Sequence, residues 1–558
     1  MKKIYLITAA TALLLIPTSC MQEFQPQGSS VTQDQAAKAP GSYENFVSSI
    51  TSQMTQFVFN SSSYRQPNDF GYPGLYVRRD MMGQDMVAAG QGYNWFNTWY
   101  QCGVGLAPIY LDSQYPWTYY FSGIQACNTV LKLAGDEPDE NHKVGAGAAY
   151  FFRALYNLEM AQMFAPLPYG VDKNSPTVPI ITDKIDLVAA TENPRATNEE
   201  MFSFILSDLD KAEALLTGYS RGSDKTMPDV SVVYGAKARA YLLMEDWVNA
   251  EKYAKQAQQG YSVMTAAEYT DRNNGFNDMN SNNAWMLACR YSKDGDVMLH
   301  QTGNHSWGSW FVCELPPNSY GYYTTYGAAN IIDRHLYSTI PSTDARKKCF
   351  LDFSIDALPT KAAQIAAISA YSDVPEYVWG TGNQRKGGAS WGGMPLKFRA
   401  KGGNHETNLD AYLVDVPMMR VEEMVLIEAE AAGRQNEARG IQILTDFAKT
   451  RDPNYVYGEH NEAYNNFQTS AFVNEIWWQR RVEFWGEGMS LFDIKRLQKG
   501  IIRSYAGTNH VDGYRWNTQT PPDWMNFCIV QTESNYNGAL INNPTPIAPK
   551  GNSPEHEW

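Results

Sequence analysis

Apolar and polar positions follow three rhythms along the 558 residues. At the start, Lys2 and Lys3 precede a 13-residue apolar run from Ile4 to Ile16 that stops at small residues just before Cys20. This run is shorter than the roughly 20 apolar residues a membrane helix needs, and no later segment approaches that length. The pattern predicts a secretory signal over 1–19 with a lipoprotein ending and acylation of Cys20. Pro17 stands where such boxes prefer leucine, so the spacing and the small Thr18 and Ser19 carry the prediction. Several acyl chains would hold the protein at a membrane without further help. From 20 to 40 the chain is polar, rich in Gln and Ser and without apolar periodicity, which predicts a flexible tether. No second linker of this kind follows, so 41–558 is expected to form one large domain.

The second rhythm is helical. In YGAKARAYLLMEDWVNAEKYAKQA, Tyr234, Ala238, Tyr241, Ala250 and Ala257 fall at intervals of four, three, nine and seven, which match a tetratricopeptide unit. Ala238 and Ala250 are expected to face each other across an antiparallel helix pair, because only small side chains let the backbones approach that closely. Further helical pairs are expected near 119–164, 199–257 and 418–497, enough units for stacking. In the third of these blocks Gly433 is read as the break between two helices.

Between the helical blocks, residues 260–415 carry short apolar stretches, Gly clusters and abundant Tyr, Trp, Asn and Ser. That composition predicts irregular, loop-rich structure, and 65–115 is grouped with it.

Charge narrows the choice of partner. A net charge of -14 argues against nucleic acid and anionic lipid surfaces, which demand concentrated Lys and Arg. Aromatic residues reach 13%, with 15 Trp and 35 Tyr, so many ring faces are expected to be partly exposed. Apart from Cys20, the cysteines are Cys102, Cys127, Cys289, Cys313, Cys349 and Cys528, with no C-x-x-C pairing. Zinc and redox motifs are absent, and buried thiols are the expected state.

Near the C-terminus, EIWWQRRVEFWGEGMSLFDIKRL (475–497) places Arg480, Arg481, Glu483, Glu487, Gly488, Asp493 and Arg496 in the order of a signature helix. MMRVEEMVLIEAEA adds Arg420, Glu422, Glu428 and Ala429, and AYFFRALYNLEMAQMFAPLPY and VQTESNYNGALINNP extend the match. In these segments the chain resembles the SusD/RagB family of outer-membrane nutrient-binding lipoproteins. The resemblance implies a mostly α fold, a tetratricopeptide-type helical-repeat frame with a loop-rich, aromatic-rich cap. It further implies a lipid-anchored protein facing the cell exterior, which takes a glycan and hands it to a SusC-like TonB-dependent transporter. The signature residues themselves are expected to be structural, with Arg480 or Arg481 pairing to Glu483, Glu487 or Asp493.

A pyranose offers an apolar face of C–H groups, which stacks on Trp or Tyr, and a polar rim that needs Asn, Asp, Gln or Arg. Two stretches fit this criterion. The first supplies Tyr93, Trp95, Asn97 and Trp99; the second supplies Trp285, Arg290, Trp307, Trp310, Tyr322 and Tyr323. Gly308 argues for a loop around Trp307 and Trp310. Neutral oligo- or polysaccharide is the expected ligand, and no cofactor or metal is expected.

Catalytic motifs are weak. Gly388-Ala389-Ser390-Trp391-Gly392 has the G-x-S-x-G pattern, but a polar, flexible stretch precedes it in place of the strand a nucleophile elbow requires. His405-Glu406 opens an H-E-x-x-H pattern that ends at Leu409, and Asp271, Asn273 and Asp278 form only half of a calcium loop. Two alternatives stay open: a binder of peptide or another nutrient on the same fold, and a surface glycosidase, whose carboxylate pair is defined in space rather than in sequence.

Overall fold

The computed structural model describes residues 39, 41–59, 65–301, 304–317, 319–383, 390–460 and 469–558. The leader, Cys20 and all of the tether except Ala39 lie outside these residues, as do Gly388 and Ala389. Two compact units divide the chain, Met1–Asn45 and Phe46–Trp558. Within the second, helices dominate and strands are few.

Helix α1 (Pro73–Met81) leads into strand β1 (Met86–Ala88), and then come two long helices, α2 (Leu111–Ala134) and α3 (Lys143–Phe164). Helices α4 (Asn198–Leu216), α5 (Val230–Met244) and α6 (Trp247–Ala257) follow. Each packs on the one before it. Local chemistry sets the boundaries: Thr197 and Glu200 form a capping box at the start of α4, and Asp229 and Asp246 cap α5 and α6. Glu245, with φ 59°, makes the tight turn between α5 and α6. Ala238, Ala250, Ala254 and Ala257 are all buried in that hairpin, and Tyr241 stacks on Tyr253 at 5.5 Å.

The next helix to pack on α6 is far away in sequence. Strand β2 (Trp285–Arg290) leaves the helical stack, β3 (Asn330–Ile332) pairs antiparallel with β1, and β4 (Asp415–Arg420) returns antiparallel to β2. Helix α7 (Val421–Gln435) then lies on α6, followed by α8 (Glu437–Lys449), α9 (Ala471–Glu483) and α10 (Ser490–Arg496). The loop-rich cap is therefore an insertion into a helical stack, entered and left through one two-stranded ladder. The break between α7 and α8 falls at Asn436, whose side chain caps α8, and not at Gly433. Gly433 is a contact residue: a Cβ on Gly440 would lie 2.4 Å from the Gly433 Cα, with the Phe472 ring closing over both. No helix among the described residues is long and apolar enough to cross a membrane.

The signature segment is buried, and its charges are matched across elements. Arg480 pairs with Asp493 at 2.7 Å, as expected, whereas Arg481 reaches Asp85 at 2.6 Å. Glu483 instead takes Arg451 at 3.0 Å and Arg420 at 3.1 Å, with Arg346 at 3.4 Å. Glu487 takes Arg420 at 2.9 Å and Lys397 at 2.6 Å, while Glu422 joins Arg420 and Arg451. This cluster ties the strand β4 to α7, α9 and the cap. Every one of its members is buried, so its charges are compensated by one another rather than by water.

Candidate functional site

A cleft of about 610 Å³ opens where the segments around 66–69, 91–98 and 111–115 meet. Trp95 and Tyr93 stand at its wall with 44% and 45% of their surface exposed, in a molecule whose other large rings are mostly buried. Their position follows from the backbone beneath them. Strand β1 is pinned to β3, with Ala88 opposite Asn330, and the chain then turns outward through Gly90. A Cβ on Gly90 would lie 2.1 Å from the Gly327 carbonyl oxygen, so only glycine lets the two loops meet here. Gly90→Ala is expected to cost about 1–3 kcal/mol by overpacking and to weaken ligand binding as the Tyr93–Trp95 loop shifts. Thermal melting and calorimetry on the same sample check both effects.

Amides fix the loop. Asn94 donates to Asn330 Oδ1 at 2.8 Å and accepts from the Phe96 N–H, while Asn68 donates to the Trp95 carbonyl at 2.8 Å. Asn97 donates to the Gln91 carbonyl, and its Oδ1 has no hydrogen-bond partner among the described residues. Tyr93 lies 5.0 Å from Tyr326, which lies 5.0 Å from Tyr322, which stacks on Trp310 at 4.7 Å. This chain of rings backs the exposed Tyr93 with the core.

The cleft floor is polar. Arg78 spreads over the Tyr115 ring at 3.5 Å and donates to the carbonyls of Asn68 and Gly74. Burial pushes the Asp69 carboxyl up to about 6, against the N–H groups of Val58 and Phe59 that it accepts at 2.8 and 3.0 Å. Burial raises Asp112 too, opposed by Arg78. Both carboxylates are thus committed to neighbouring groups.

Of the residues singled out in the sequence, Tyr93, Trp95 and Asn97 line this cleft. Trp99 lies behind it, buried against Phe527. Trp285, Trp307 and Trp310 do not present ring faces to solvent: each is essentially fully buried. Trp307 packs on Phe311 at 4.2 Å and Phe398 at 5.0 Å, and Trp310 donates its indole N–H to the Pro67 carbonyl at 2.8 Å. Trp285 sits near Phe276 in strand β2. Tyr322 and Tyr323 are buried as well. Arg290 is half exposed at the end of β2 and pairs with Asp415 at 3.4 Å, away from the cleft lining. The segment Trp307–Phe311 is one turn of helix capped by Ser306, not a loop; Gly308 is there because Tyr412 leaves no room for a side chain. Asn68, Asp69, Arg78, Asp112 and Tyr115 join the site from helices and turns that no local sugar-binding pattern marks. Tyr326 supports it from behind.

The catalytic motifs do not assemble. Ser390 donates to Asp356 at 2.6 Å, and the same carboxylate accepts the Trp391 N–H, so the serine is a loop anchor. His405 Nδ1 lies 3.0 Å from the Glu314 carbonyl oxygen, and Asp271 accepts the N–H groups of Asn273 and Asn274 in a turn. Cys102, Cys127, Cys289, Cys313, Cys349 and Cys528 are buried, and no disulfide joins them among the described residues.

Comparison with known proteins places this geometry in context. Residues 259–547 match a family model described as the SusD family, and residues 75–242 match one described as starch-binding associating with outer membrane. No curated protein sequence matches the chain. Among solved structures, a SusD-like carbohydrate binding protein from Bacteroides vulgatus is 21% identical, with a TM-score of 0.69 over 90% of this chain and 97% of that one. A SusD superfamily protein from Bacteroides thetaiotaomicron is 17% identical, with a TM-score of 0.65 over 92% and 100%. Surface glycan-binding protein A from Bacteroides thetaiotaomicron, solved in complex with laminarihexaose, is 16% identical, with a TM-score of 0.62 over 90% and 99%.

Proposed function

The chain belongs to the SusD family, and on that premise we propose that it is a surface glycan-binding protein whose cleft at Tyr93 and Trp95 captures a neutral oligo- or polysaccharide without cleaving it. The observation that carries this reading is the pair of exposed rings, Tyr93 braced from the core by Tyr326 and Trp95 held at its backbone by Asn68, beside an array of amides. Ring faces take the apolar side of a sugar, and Gln66, Gln91 and Asn97 supply rim contacts. Asp69 and Asp112, the only carboxylates among the described lining residues, already accept bonds from the protein, which supports binding over hydrolysis. Native electrophoresis of the purified protein through a panel of polysaccharides tests this: one or more neutral glycans should retard it, with no released product. Retardation by none, or the appearance of shortened chains, would count against it.

In this reading the protein is held by lipid at Cys20 on the outer membrane, facing outward, with 20–40 as tether and 41–558 as the binding domain. From there it passes glycan to a SusC-like TonB-dependent transporter. Cys20→Ala is expected to move nearly all of the protein from the membrane fraction to the soluble one, as fractionation and blotting would show. Persistence in the outer membrane would contradict the anchor.

A further inference from the structure

A second cleft, of about 440 Å³, lies where the short helix Ala345–Cys349 faces the segments around 270–272, 370–371 and 396–399. Its charge is opposite to that of the first. The cleft at Trp95 is lined by two carboxylates and one guanidinium. Here the described lining residues include Arg272, Lys347, Lys348 and Arg399 against one carboxylate, Asp352. In a chain of net charge -14 such a concentration stands out.

Pairing removes part of the excess but leaves a cationic wall. Arg399 is tied to Glu314 at 2.6 Å and to the Tyr371 carbonyl at 2.9 Å, and Arg272 is tied to Asp373 and the Ala370 carbonyl. Asp352 accepts the Tyr337 hydroxyl at 2.7 Å and the Ser354 N–H at 2.8 Å. Lys347 donates to the Ile340 carbonyl and lies 4.7 Å from the centre of the Tyr337 ring. Burial pushes its ammonium down, and Asp352 and Asp344 offset this only in part. An added anion would complete that compensation. Lys348 is exposed and makes no ion pair among the described residues.

The volume speaks for more than a bare ion. At about 30 Å³ per water molecule, 440 Å³ corresponds to roughly fifteen waters, room for a sugar ring with its substituent. Tyr337 and Tyr371 supply aromatic edges beside the lysines. We propose that this cleft is a second saccharide site, specific for a sugar carrying a carboxylate or sulfate group, with Lys347 and Lys348 as the anion-binding residues. The choice of a saccharide rests on the glycan-binding reading above; the choice of an anion rests on the cleft itself.

The test is calorimetric titration of a trigalacturonide into the wild type, Lys347→Gln/Lys348→Gln and Trp95→Ala, each at low and high salt. The wild type should bind, with affinity falling tenfold or more at high salt, because exposed charges are screened. The double variant should lose tenfold or more while keeping its affinity for neutral glycan and its melting temperature, and Trp95→Ala should bind the uronide normally. No uronide binding by the wild type, unchanged binding by the double variant, or loss in Trp95→Ala would overturn the proposal. Competition by inorganic sulfate as tight as the uronide would overturn the saccharide assignment. If the uronide binds at the lysines and no neutral glycan binds anywhere, the first cleft's reading fails while this one stands.

Discussion

Glu483→Gln is expected to lower the unfolding free energy by about 3–5 kcal/mol, a large share of the 5–15 kcal/mol typical of a native domain. Burial by itself would raise this carboxyl, but Arg451 and Arg420 outweigh it and hold it well below the usual carboxylate range. Neutralising it leaves those two guanidiniums, and Arg346 beyond them, facing one another with a carboxylate missing. The cost comes from the uncompensated charges rather than from the lost attraction, which in a buried pair is largely cancelled by desolvation. The sign with pH follows from the depressed value. Glu483 contributes its stabilisation fully above its unfolded-state value of about 4.3, and the contribution fades as pH falls towards the folded one. The gap between wild type and variant in urea unfolding should therefore be widest at neutral pH and narrow on acidification. Glu140, whose partner Lys143 is one turn away on an exposed surface, is the control: its alanine variant should unfold much like the wild type. A Glu483→Gln protein as stable as the Glu140 variant would mean that the buried cluster does not hold β4, α7 and α9 together.

The frame could be read from sequence because its determinants are local. Small residues at tetratricopeptide spacing and helical periodicity act within a few residues, and the structure adds local caps at Thr197 and Asp246. The partners of the signature charges could not be read the same way. Arg481 meets Asp85 across a separation of 396 residues, and Glu483 draws its arginines from three different elements. Sequence proximity reaches only as far as the next helix: Arg480 on α9 and Asp493 on α10 stand among the expected pairings, whereas the distant partners Asp85, Arg346, Arg420 and Arg451 do not.

The aromatic residues show the same limit more sharply. A tryptophan in a Gly-rich, polar stretch has the same local signature whether its ring faces water or the interior. Trp307 and Trp310 go inside because Phe398, from a distant segment, joins the neighbouring Phe311 on Trp307 and Tyr322 stacks on Trp310. Trp95 stays outside on the loop that follows the close meeting of Gly90 with Gly327. The polar lining residues Gln66, Asn68, Asp69, Arg78 and Asp112 lie outside both stretches that the sugar criterion selects.

Trp95→Ala is accordingly expected to have the largest effect on binding of any substitution in the cleft. An indole offers 150–250 Å² for burial, and with 44% exposed, on the order of 100 Å² is available to a sugar face. At about 25 cal/mol per Å² this contributes roughly 2.5 kcal/mol. A hydrogen bond to a sugar hydroxyl replaces one to water and nets only about 0.5–1.5 kcal/mol. Since 1.4 kcal/mol is a decade in affinity, loss of the ring should weaken binding tenfold or more. Trp285, Trp307 and Trp310 are expected to behave differently: their alanine variants lose about 3–5 kcal/mol of stability through the cavities they leave, and any loss of binding follows from unfolding.

The most direct measurement is calorimetric titration of the neutral oligosaccharide that retards the protein most into wild type and Trp95→Ala, with the melting temperature of each recorded on the same samples. Capture at this cleft requires the variant to melt like the wild type and bind at least tenfold more weakly. Equal affinities in two equally stable proteins would place the glycan elsewhere.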